Sequence, residues 1–427
     1  QNETRSTYLY EISYIDAYKL LSKTRFDLYS KIVFLDYIDN YSNNFEELYL
    51  SFIKAFTLGT FNEPGNKYKN GSIEYLKTFS EIYKNISKFG FNYQKSIIPV
   101  TNDGIILNGA HRLAIAIKLN IKVPTIKLDY NAADYGYGFF KERRVPTVFL
   151  DQSVIKLVNL KKNLRIAIIW PAADRRNKVN LEEIIPNIHY KKDIKFNFDG
   201  LQNLINCIYS KEKFLGTIDN GFKGARAKAT QCYSNKWNLT VYVFEPSNAC
   251  NVIELKAHIR KKFGINKNSI HINDTYEELQ NISEIMFNEN TISFLNKIKF
   301  KSHSKRFLKQ IDEFKDFVIK NELNYSDLVL DGSIVMSAFN LREARDIDYL
   351  LHSSTQNKII NAKYNINNHN NEFEKYSKKK VDSIVEDNRY FFTFDKVRFL
   401  SLDILFLIKK ERNENKDKID NSAIKSL

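Results

Sequence analysis

The residues best suited to chemistry are Asp346 and Asp348, separated by Ile347 and preceded in the chain by Gly332 and Ser333. Side chains alternate along a strand, so an Asp-x-Asp pair in extended backbone sends both carboxylates to one face and the residue between them to the other. Such a pair can hold Mg²⁺, which keeps several waters and is commonly bound by one or two carboxylates together with substrate phosphates. Gly332 and Ser333 offer the complementary half. Glycine lets the backbone approach a phosphate closely, serine brings a hydroxyl, and the start of a following helix favours negative charge. The combination suits metal-assisted phosphoryl or nucleotidyl transfer. Its plain alternative is the polar face of an exposed strand beside an ordinary turn.

To position these groups the chain needs a strand, a turn, a helix and a second strand. Leu328 to Leu330 form an apolar run that stops at Asp331-Gly332-Ser333, Ile334 to Asn340 suits a helix, and Asp346 to Leu351 reads as the second strand. This order resembles the nucleotidyltransferase superfamily of the polymerase-beta type, whose signature is an apolar strand, Gly-Ser, a spacer (here Ile334 to Arg345) and Asp-x-Asp. The resemblance covers roughly the last quarter of the chain. It implies that Asp346 and Asp348 are catalytic metal ligands, that Gly332 and Ser333 hold a triphosphate, and that the cofactors are Mg²⁺ and a nucleoside triphosphate, ATP or CTP. A third carboxylate completes such sites; Asp395, after the strand-like Tyr390 to Phe394, is the first candidate and Asp403 the second. Lys409, Arg412 and Lys416 fall at helical spacing. They resemble the basic helix that follows such a core and meets the triphosphate or acceptor, the alternative being a solvated charged face.

A second stretch, Ser96 to Pro124, reads as strand, Asn-Asp-Gly turn, strand, glycine turn, helix and strand, with Leu113, Ala116, Ile117 and Leu119 on the buried side of the helix. Gly109, His111 and Arg112 then open that helix, where backbone N–H groups, an imidazole and a guanidinium suit an anion. The pattern resembles the ParB/sulfiredoxin-like fold. That likeness implies nucleotide-phosphate contacts at Gly109, His111 and Arg112, with Asn108 and Asp103 nearby, and it admits kinase-like chemistry. Ala110 stands where a redox cysteine would be needed, which argues against sulfinic acid repair. A helix cap and a solvated arginine are the structural alternative.

The remaining sequence sets bounds. There are 65 basic and 50 acidic residues, a formal charge of +15 and a pI near 9.3, which favours an anionic partner. No apolar run approaches a membrane span. Cys207, Cys232 and Cys250 follow no disulfide or metal-binding pattern, which suits a reducing compartment and core positions. The first hundred residues read as mostly helical. Arg165 to Trp170 and Leu239 to Phe244 suit central strands of a middle α/β unit. Between and after them lie the basic, glycine-containing Gly221 to Lys228, Lys256 to Arg260 on a helix, and His271 and Asp274 at a strand end.

The expected architecture is multidomain α/β and α+β: a ParB/sulfiredoxin-like unit with a helical start over 1–150, a middle unit over 151–300 and a nucleotidyltransferase-like unit over 301–427. The expected function is Mg²⁺-dependent nucleotidyl or phosphoryl transfer to a small molecule or glycan, for instance in bacterial surface polysaccharide synthesis. Its expected location is the cytoplasm or the inner membrane surface. The alternatives are a ParB-like nucleic-acid binder, disfavoured by the lack of a clear helix-turn-helix, and a nucleotidyltransferase toxin acting on tRNA or protein.

Overall fold

The computed structural model describes residues 10–38, 44–63, 69–94, 96–174, 179–247, 251–358 and 364–427. The chain divides into two compact units, Gln1–Leu160 and Lys161–Leu427. The second contains the sheets of both regions that the sequence suggests as middle and C-terminal units.

In the first unit, β1 (Ser13–Asp16), β2 (Ile98–Val100) and β3 (Lys122–Lys127) form a sheet of order β1-β3-β2. Three helices precede β2: α1 (Asp27–Tyr37), α2 (Asn44–Phe56) and α3 (Ser72–Phe89). The fourth, α4 (Ala110–Lys118), links β2 to β3, which are parallel. The second strand expected before Gly109 shrinks to one bridge, Val100 to Ile106. Helix α4 also departs from a one-sided pattern: Leu113 to Ile117 are all buried, because α1 packs over the side facing away from the strands.

Helix α1 is itself buried along nearly its whole length, charges included. Asp27 accepts from Arg25 Nε at 2.9 Å and from Lys31 Nζ at 2.8 Å. Burial acts to raise the Asp27 carboxyl, but the two cations more than offset it and hold it far below the usual range. Around this triad Phe26, Phe52, Phe56 and Phe140 pack ring against ring. Phe140 is therefore a core residue.

The second unit has two sheets. Strands β4 (Arg165–Ile169), β5 (Ile188–Ile194), β6 (Leu239–Phe244) and β7 (Ile270–Ile272) lie in the order β5-β6-β4-β7, with β4 and β6 central as their unbroken apolar runs suggest. Every pairing in it is antiparallel, so this sheet is not built from βαβ crossovers. The other sheet contains β8 (Leu328–Asp331), β9 (Ile347–Leu351), β10 (Ile366–Asn368), β11 (Phe391–Phe394) and β12 (Val397–Leu400), in the order β10-β9-β8-β12-β11.

Strand β11 is an edge, and an edge exposes unpaired backbone groups. Helix Glu289–Lys297 and its approach cover it: Asn288 Nδ2 donates to Phe391 O at 3.0 Å, and Thr393 N donates to Thr291 Oγ1 at 2.9 Å. Phe294 stacks on Phe392 beneath, with ring centroids 4.4 Å apart. The molecule is thus mixed α/β with several small sheets. Among the described residues, no helix is long and apolar enough to cross a membrane.

Candidate functional site: a carboxylate pair at the end of the C-terminal sheet

Strands β8 and β9 run antiparallel with Asp331 opposite Asp348 and Leu330 opposite Tyr349. Residues directly opposite in such a ladder put their side chains on one face, so two carboxylates meet where β8 ends. Asp346 precedes β9 by one residue and is half-buried, as is Asp348. Burial first, then the charges of Asp346 and Asp331, push the Asp348 carboxyl above its ordinary value; His369 and Asn367 act the other way. This is a crowded anionic cluster that a cation would relieve.

Gly332 explains how β8 can turn so close to β9. Its φ of 70° and ψ of −137° define a backbone that side-chain-bearing residues avoid. A Cβ there would lie 2.7 Å from Asp348 Oδ2. Ser333 then opens the helix Ser333–Ala338, whose Ile334 to Ala338 are buried. The four residues singled out by the Gly-Ser and Asp-x-Asp pattern are therefore brought to one corner of the sheet.

Strand β10 adds groups that the sequence does not advertise. It runs parallel to β9 with Asn367 beside Asp348, and Asn367 Nδ2 donates to Asp348 Oδ1 at 3.4 Å. Just beyond, His369 Nδ1 meets Asp331 Oδ2 at 2.8 Å. Burial acts to lower His369, yet the hydrogen bond and charge of Asp331, with the charge of Asp348, raise it overall. Asp331 is 2% exposed, and its other oxygen, Oδ1, is buried without a hydrogen-bond partner. Such an orphaned acceptor calls for a donor or a cation.

The other carboxylates and the basic residues expected at this site lie elsewhere or are engaged. Asp395 lies with Lys396 in the left-handed turn between β11 and β12, and it is ion-paired with Lys315. Because β12 runs parallel to β8, with Phe399 beside Leu330, the start of β12 is at the opposite end of the sheet from Asp331. Asp395 cannot complete the carboxylate cluster. Asp403 is exposed in the first turn of helix Leu402–Arg412, which follows β12 at the Asp331 end.

Lys409 is 2% exposed and bonds Asp420 Oδ2 at 2.8 Å. It is an internal counter-charge and not part of a basic face. Arg412 ends its helix, and Lys416 belongs to the next one, Asn415–Lys425, so the three cations share no helix. Arg412 grips Asp417 through Nε at 2.9 Å and Nη2 at 2.7 Å. That hydrogen bond, foremost, raises its guanidinium despite burial, and Asp331 also feels its charge.

In the first unit the start of α4 separates the two residues expected to act together. Gly109 has φ 90°, and its N–H donates to Asn108 Oδ1 at 2.6 Å. His111 Nε2 bonds the Tyr49 hydroxyl at 2.8 Å and sits edge-on to Phe79, 4.7 Å between centroids. Burial, then Lys31 and Lys69, hold its imidazole well below the ordinary value. Arg112 turns elsewhere, into a cavity of about 450 Å³ with Ile82, Asn85, Phe89 and Ser96. Asp103 hydrogen-bonds Thr101.

No family model, curated protein or solved structure was found to match this chain. Among the described residues, no three His, Cys, Asp or Glu side chains are grouped so as to hold a metal by themselves. The donor set suits Mg²⁺ nonetheless, since that ion needs few carboxylates and takes the rest from water and phosphate.

Proposed function

We propose that the corner formed by Asp331, Gly332, Asp346 and Asp348 is a Mg²⁺-dependent nucleotidyl- or phosphotransferase centre of the polymerase-beta type, acting on a small molecule or glycan. The observation that carries this reading is the carboxylate cluster across β8 and β9, three aspartates against the one imidazole of His369, with Asp348 raised and Asp331 Oδ1 unpartnered. Bound Mg²⁺ would neutralise phosphate charge as the leaving group departs. Asp346 and Asp348 would hold it. Gly332 lets β8 turn close against the Asp348 carboxylate, and Ser333 would offer its hydroxyl to a phosphate. His369, fixed by Asp331, orients one carboxylate oxygen and leaves the other for the ligand. A role in surface polysaccharide synthesis rests on the resemblance alone.

The test is to incubate the protein with each labelled nucleoside triphosphate, with and without Mg²⁺, and to follow release of pyrophosphate or diphosphate. Turnover should require the metal and vanish in Asp346→Asn. Absence of turnover with all four nucleotides and a panel of sugar and lipid acceptors, or full activity in that variant, overturns the assignment.

A further inference from the structure

Three basic stretches of the middle region, far apart in sequence, line one cavity of about 1290 Å³. Lys228 comes from the helix Lys223–Cys232, Arg260 from the helix Val252–Phe263, and Lys267 from the turn before β7. The carboxylates that share the cavity are largely engaged. Asp274 is paired with Lys256 at 2.9 Å, Glu277 with Lys396 at 2.7 Å, and Glu278 with His271 at 2.9 Å; Glu212 is exposed.

Lys267, exposed, and Lys228 and Arg260, both half-buried, are left without a carboxylate among the described residues. Lys228 Nζ rests on neutral acceptors, Lys267 O at 2.6 Å and Asn268 Oδ1 at 2.8 Å. The Arg260 guanidinium makes no hydrogen bond or ion pair among the described residues, and its Nε is buried. Burial, foremost, lowers the Lys228 ammonium, Arg260 and Lys267 act the same way, and Cys232 opposes them without reversing the shift. Like charges gathered in a partly desolvated cleft repel one another, and this arrangement is favourable only when an anion joins them.

We propose that this cavity binds a small phosphorylated molecule, its phosphate held between Lys228 and Arg260. A dianionic phosphate matches two unneutralised cations better than a monoanionic carboxylate does, and arginine's planar fork suits phosphate oxygens. Ile253, Ile282 and Ile285 form an apolar wall for the organic body, and the volume exceeds what most small ligands need. Lys396 reaches the cavity from the start of β12, the sheet end remote from Asp331. The phosphate site is therefore separate from the carboxylate corner and needs no metal.

Isothermal titration of the full chain with inorganic phosphate, in EDTA and at constant ionic strength, tests the proposal. Phosphate should bind, acetate should not compete, and Arg260→Gln or Lys228→Met should each weaken binding at least 10-fold, whereas Asp348→Asn should bind as the wild type does. Phosphate should also shield Lys228 of the wild-type protein from amine acetylation read by mass spectrometry, a measurement that does not depend on any variant folding. No phosphate binding, undiminished affinity in both cavity variants, or equal acetylation of Lys228 with and without phosphate would overturn it.

Discussion

Asp348 occupies the least comfortable position of the candidate site: half-buried, faced by Asp331 across the ladder and preceded at two residues' remove by Asp346. A charge kept where burial and two like neighbours oppose it costs stability, and active sites commonly carry such a cost. Asp348→Asn is therefore expected to abolish Mg²⁺-dependent turnover while leaving the unfolding free energy unchanged or higher, by up to about 1 kcal/mol on the scale of a relieved charge contact. Parallel assays of pyrophosphate release and thermal unfolding check both halves. A variant that keeps activity, or that loses activity only by unfolding, contradicts the role given to Asp348.

At the scale of elements, the β8 turn and the two C-terminal helices make opposite points about glycine and lysine. Gly332→Ala introduces a side chain where φ is 70° and where Asp348 Oδ2 would be 2.7 Å away; backbone strain of this kind costs about 1–3 kcal/mol, and Asp348 must also move. Denaturant unfolding should show that loss, and Mg²⁺-dependent turnover should fall with it. Lys409→Ala removes the buried ammonium shared by Asp417 and Asp420, leaving Asp417 to Arg412 and Asp420 to Arg342. Its expected cost is about 3 kcal/mol, the low end of the range for breaking a buried ion pair because each carboxylate keeps a second cation, with no loss of nucleotide affinity in the folded fraction. A stable Lys409→Ala protein with weakened nucleotide binding would restore the basic-helix reading.

For the molecule as a whole, acid sensitivity should trace to the Arg25–Asp27–Lys31 triad within the first unit. Asp27 is depressed in the folded state, so its contribution is complete above its unfolded value of about 3.9 and is lost as pH falls below that value. His111 adds a second, earlier slope. Its folded value is also depressed, so the unfolded chain takes up a proton that the folded chain refuses, and stability declines as pH falls through about 6.5. Unfolding free energies measured from pH 8 down to pH 2 should therefore drop in two stages, and His111→Asn should show a smaller upper one, the rest coming from His303, also lowered by burial. Asp27→Asn should be destabilised by about 3–5 kcal/mol at neutral pH, since it leaves two buried cations with no counter-charge, and should show a smaller lower stage, Glu245 and Asp417 supplying what remains.

The sequence by itself determined what depends on neighbours along the chain. The apolar runs of β4, β6, β8 and β9, the glycine turn at Gly332 and the alternation that buries Ile347 between two aspartates are all local, because a strand's period and a turn's backbone demand are set within a few residues. Cys232 is buried as expected and Cys207 is half-buried; Cys250 lies outside the described residues. Tertiary structure alone decided which distant groups meet. The parallel register of β12 on β8 sends Asp395 to the wrong end of the sheet, and that of β10 on β9 brings in Asn367, with His369 just beyond. Asp331 reads as a turn residue until its partner across the ladder is known. Helix Asn415–Lys425 folds back on helix Leu402–Arg412 and turns Lys409 from a surface cation into a buried one. Register and packing join residues that no short window of sequence contains, and the charge environment of each side chain follows from them.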